Sequence, residues 1–139
     1  MTASGEHWLW RLDAAAWLDA ARVELARGRA RIDERRAAVA HARRAAGMAL
    51  NAVLVARMGE TADTVWGRSY VEHLQAIADG RIGPLPDEAR VRATRLLAVP
   101  AIAPALVVLS GRRAADLVAL LDDAAALVEL CGDSVAPAL

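Results

Sequence analysis

The chain has no phenylalanine, no lysine and one cysteine, and aromatic residues supply only 4% of it. That shortage disfavours a sandwich core of large rings. The hydrophobic 56% is mostly Ala, Leu and Val, which suits helices packed close together. The lone Cys131 excludes an intrachain disulfide and a cysteine-rich zinc site, and fits a reducing cytosol. His7, His41 and His73 stand too far apart for metal-ligand spacing, so metal-assisted hydrolysis is not expected, and no motif implies a cofactor. The longest uncharged apolar run, Leu96 to Leu109, is broken by Pro100 and Pro104 and is too short to span a bilayer. The stretch from Met1 to Asp13 lacks the apolar core of a secretion signal. A cytoplasmic chain without a membrane span is expected.

What remains is a sequence of 139 residues with seventeen acidic and seventeen basic side chains, all of the latter Arg. One domain of ordinary size is expected over 1–139. A GC-rich genome explains the Arg bias as readily as a need for planar guanidinium chemistry. Zero net charge gives no global pull toward nucleic acid, so any such attraction must be local.

Spacing predicts an all-α, up-and-down bundle of four to six helices. The first runs from about Asp13 to Ala30, with Trp10, Ala14, Trp17, Ala21 and Leu25 on one stripe. In the second, about Asp33 to Met58, Val39, Ala42, Ala46, Ala49 and Val53 form a seam of small residues. From Ala45 to Ala56 this helix carries no charge and one polar side chain, Asn51, so it should be central, with Asn51 a buried amide needing partners. Thr61, Asp63 and Thr64 are candidate caps for a third helix, about Asp63 to Ala78, ending before Asp79-Gly80. Pro86 introduces a fourth, Asp87 to Ala98. Residues 99 to 113 read as a break with a helical turn after Pro104. The last helix, about Ala114 to Leu130, buries Leu117, Leu121, Ala124, Val128 and, just beyond it, Cys131.

Charge is uneven along the chain. Between Arg22 and Arg44 eight Arg face only Glu24, Asp33 and Glu34, a local balance of plus five. Such a stretch suits phosphate binding, or else is a solvated edge laced with ion pairs. His41, Arg44, Met48 and Asn51 share a stripe that either lines a cleft or packs on a neighbour. The third helix holds Trp66-Gly67-Arg68-Ser69-Tyr70-Val71-Glu72-His73-Leu74. Here an imidazole able to move protons near neutral pH lies close in sequence to a guanidinium able to stabilise charge on phosphoryl oxygens. On one continuous helix the two would lie about 140° apart, with Arg68 placed to pair with Glu72.

Arg68 and His73, separated by four residues, resemble the R-x4-6-H motif of the HEPN superfamily of small helical bundles. The segment Ala42-Arg43-Arg44-Ala45-Ala46-Gly47-Met48-Ala49-Leu50-Asn51-Ala52 is similar to the small-residue-rich second helix of those domains. The resemblance implies a homodimer whose motifs face each other, with RNA or a nucleotide between them. His73 would then be general acid or base and Arg68 its electrostatic partner in a metal-independent endoribonuclease of toxin-antitoxin or defence type. Ser69, Arg43, Arg44 and Asn51 are the accompanying candidates for RNA or nucleotide binding. The alternative is a non-catalytic module for protein interaction or dimerisation, in which Trp66, Tyr70 and Leu74 form the binding face.

Overall fold

The computed structural model describes residues 12–57, 69–81, 85–100 and 113–135. They form five helices and, among them, no strand: α1 (Ala14–Ala30), α2 (Arg35–Arg57), α3 (Tyr70–Ala78), α4 (Asp87–Ala98) and α5 (Arg113–Val135). The chain is an all-α bundle.

Local chemistry sets the ends of these helices. The Asp13 carboxylate accepts from the Ala16 N–H at 2.8 Å and so starts α1. Ser69 does the same for α3, its Oγ accepting from the Glu72 N–H at 3.0 Å. The described helix α3 thus begins at Tyr70 with Ser69 as its cap, and the predicted start at Asp63 with its candidate caps Thr61, Asp63 and Thr64 falls outside the described residues. Helix α3 closes at Gly80, whose φ of 72° belongs to the left-handed region that favours glycine. Arg81 N–H then reaches the Ala76 carbonyl and Gly80 N–H that of Ile77, satisfying the end carbonyls. Pro86 precedes α4 at a φ of −72°, natural to its ring, with Asp87 and Glu88 at the positive end of the helix dipole. Before Pro100, Val99 is extended and α4 stops.

Helix α2 is the centre and packs against all four others. Its predicted seam is fully buried, and Ala45, Leu50, Ala52 and Leu54 are buried as well, so the charge-free stretch is covered on most sides as far as Leu54, with Met48 and Val55 partly buried and Ala56 exposed. Small side chains allow this crowding, because Ala and Gly let neighbouring backbones close in. Helix α5 buries Leu117, Leu120, Leu121, Ala124, Leu127, Val128 and Cys131. It continues five residues past the predicted Leu130, since Gly132 is tolerated where Cys131 and Val135 still pack on the core. Leu74, expected in a protein-binding face, is wholly buried and belongs to the core. Trp10, Trp66, the expected Arg68–Glu72 pair and the turn after Pro104 fall outside the described residues. No described helix is long and apolar enough to cross a membrane.

Burial pushes the Cys131 thiol up to about 12. The folded protein should therefore resist iodoacetamide at pH 8 and be alkylated fully in denaturant. Rapid modification of the native chain, followed by mass spectrometry, would contradict that placement.

Candidate functional site

Three sequence-selected residues meet at one place. Arg43 and Arg44 from α2 and Ser69 from the start of α3 line an open cleft of about 360 Å³, together with Ala40, Tyr70 and Val71. The floor owes its shape to Gly47. A Cβ there would lie 2.6 Å from Tyr70 Cδ1 and 2.7 Å from Cγ, so only glycine lets this ring settle against α2. Tyr70 is half-buried, and burial raises its hydroxyl pKa. The Arg44 charge pulls that value down and the Glu24 charge pushes it up, which puts both within electrostatic reach of the phenol.

Glu24 is the residue that sequence reasoning missed. It sits on the inner stripe of α1 with Trp17, Leu18, Ala21 and Gly28, only 3% exposed. Its Oε1 is shared by His41 Nδ1 at 2.5 Å and Arg44 Nη1 at 2.5 Å, while Arg27 Nη1 approaches Oε2 at 3.4 Å. Burial alone would raise the Glu24 carboxyl. The hydrogen bonds and charges of His41 and Arg44 outweigh it and hold the group below the ordinary carboxylate range. An ionised carboxylate only accepts, so His41 Nδ1 carries the proton and donates. Gly28 makes room for this contact: a Cβ at that position would come within 3.1 Å of His41 Cβ.

The basic stretch is largely neutralised from within. Arg22 pairs with Asp19, Arg27 and Arg44 with Glu24, Arg29 with Asp122, Arg31 with Glu34, and Arg35 with Asp116. Arg43 donates to three carbonyls at the end of α4: Leu96 at 3.1 Å, Leu97 at 3.3 Å and Val99 at 2.6 Å. It thus closes a helix that Pro100 prevents from closing itself, and burial lowers its pKa. Arg44 is the more available of the two cleft guanidiniums. It spends Nη1 on Glu24 and keeps 42% of its side chain exposed.

The other predicted residues lie elsewhere. His73 is 1% exposed on the inner face of α3. Asn51 is completely buried, as its setting in α2 predicted, but among the described residues neither amide atom has a hydrogen-bond partner. Neither side chain lines the cleft. Arg68 lies outside the described residues. Among those residues no three His, Cys, Asp or Glu side chains converge as a metal site would require. The chain matches no protein-family model, no curated protein and no solved structure.

Proposed function

We propose that this chain is a HEPN-like, up-and-down bundle that binds RNA or a nucleotide, with a phosphate held in the cleft between α2 and the start of α3. The observation that carries this reading is the convergence there of Arg43, Arg44 and Ser69, which come from two segments of sequence. Arg44 supplies a half-exposed guanidinium, and the start of α3 brings its positive dipole end to the same opening. Under the same reading the protein is a cytoplasmic homodimer. The resemblance adds metal-independent cleavage by Arg68 and His73.

Fluorescence anisotropy with a labelled single-stranded RNA tests binding. Wild type should bind at 50 mM salt and lose affinity steeply toward 200 mM. Arg44→Ala should weaken binding by about tenfold, the worth of a charge-assisted contact, with its helicity unchanged by circular dichroism. Absence of binding to RNA, and to a nucleotide, would end this reading.

A specific observation favours a second one. Six arginines of the basic stretch are held in ion pairs and Arg43 by carbonyls, whereas Val71 is 50% exposed at the cleft. A non-catalytic protein-interaction module would use that apolar edge. Val71→Asp would then abolish association with a partner, and Arg44→Ala would leave it intact.

A further inference from the structure

Arg44, the half-exposed guanidinium of the cleft, is held from inside the bundle. Its Nη1 donates to Glu24 Oε1, the same oxygen that accepts from His41 Nδ1, each at 2.5 Å. Two donors thus compete for one atom. Arg27 Nη1 approaches the other oxygen at 3.4 Å. The Glu24 side chain is 4% exposed and cannot turn to water instead, whereas Arg44 keeps 42% of its side chain in solvent. Arg44 is therefore the partner able to leave, and it already lines the cleft. His41 acts on it through the shared carboxylate, without itself lining the cleft.

We propose that His41 is a proton-operated latch on the phosphate site: when its ring takes a second proton, Glu24 is drawn to the imidazolium and Arg44 is released to the cleft. This rests on the phosphate-binding reading above and adds its regulation. Imidazoles change charge between about pH 5 and 8. While the ring is neutral, Arg44 is the only cation on Oε1 and the stronger partner. A second proton makes Nδ1–H a charge-assisted donor as well, and it sets a positive charge three residues from Arg44 on the same helix, where like charges repel. Around this ring α1 presents Glu24 and Arg27, and α3 presents Tyr70, a phenol that burial keeps protonated in this range. Helix α5 presents Leu121 across Gly28, while its Asp116, Asp122 and Asp123 are taken up by Arg35, Arg29 and Arg92. The end of α4 presents carbonyls, and Arg43 occupies them. His73 is buried on α3, so the assignment depends on substitution at position 41 itself.

The test is fluorescence anisotropy on the full-length protein at constant low salt, with a labelled 2′-O-methyl oligouridylate. Its phosphodiesters and bases keep their charge from pH 5.5 to 8, so any pH dependence belongs to the protein. Wild type should bind about fivefold more tightly at pH 5.5 than at pH 8, the effect of one added charge near the site. His41→Gln, which cannot take up the proton, should lose that gain. Glu24→Gln, which removes the hold on Arg44, should bind at pH 8 about as tightly as wild type does at pH 5.5. Arg44→Ala should bind weakly at both. A readout in the wild-type protein covers the case of poorly folded variants: by linkage, the imidazole proton signals of His41 should titrate at higher pH with the strand bound than without it. Equal wild-type binding at both pH values, a gain that persists in folded His41→Gln, or a His41 titration unmoved by the strand would overturn the latch and leave the phosphate site standing. Failure to bind at either pH would overturn the reading beneath it.

Discussion

Asp116→Ala should destabilise the protein by about 3 kcal/mol, far more than the loss of an ordinary surface ion pair. Its partner Arg35 is 4% exposed and uses every face of its guanidinium: Nε on the Pro100 carbonyl at 2.9 Å, Nη1 on Asp116 Oδ1 at 3.0 Å and Nη2 on Oδ2 at 2.6 Å. This one side chain ties the start of α2 to the first turn of α5 and to the chain leaving α4. Removing the carboxylate strands a buried cation that cannot shed its proton. It also takes an acid from the positive end of α5, worth about 0.5 kcal/mol more. Urea unfolding should show a lower midpoint with an unchanged slope. Replacing the pair together, Arg35→Met with Asp116→Leu, should recover all but about 1 kcal/mol, because an apolar pair has no charge to desolvate. A loss below about 0.5 kcal/mol for Asp116→Ala would mean that Arg35 is solvated in solution and that the tie does not exist.

Arg35 and Glu24 mark where the sequence stops being legible. The small seam of α2 could be read because Val39, Ala42, Ala46, Ala49 and Val53 repeat at helical spacing, and all five are buried. The central place of α2 followed from an uncharged run that no solvated helix tolerates. The same logic sends charged residues outward, so it hides a glutamate on the inner stripe of α1. The partners that make such burial affordable are His41, seventeen positions away from Glu24, and Asp116, eighty-one from Arg35. Pairing across those distances is a property of the packed fold. The basic stretch was misleading for the same reason: it was counted along the chain, whereas Asp116 and Asp122 cancel part of it from α5. The candidate site was half visible. Its guanidiniums and Ser69 stand out as residue types, but the clamping role of Arg43 on the end of α4 depends on where α4 lies.

Gly47→Ala should destabilise the bundle by about 2 kcal/mol, against the direction that helix propensity alone predicts. In an open helix this change gains about 1 kcal/mol, because alanine has less backbone freedom to lose. At position 47 the new methyl would fall 2.6 Å from Tyr70 Cδ1, and the obstacle is the root of a ring on the first residue of α3. The ring and the first turn of α3 must move together, and overpacking of this kind costs about 1–3 kcal/mol. Gly132→Ala is the matched control. Its Cβ would meet only Arg22 Nη2 at 3.8 Å, so α5 should gain up to about 1 kcal/mol and melt a few degrees higher. A cycle with Tyr70→Ala separates clash from propensity. Once the ring is gone, Gly47→Ala should become stabilising, so the two changes should couple by at least about 2 kcal/mol. If Gly47→Ala alone behaves like Gly132→Ala, Tyr70 does not rest on Gly47 in solution. The cleft floor, and with it the approach of α3 to Arg44, would then have to be built differently.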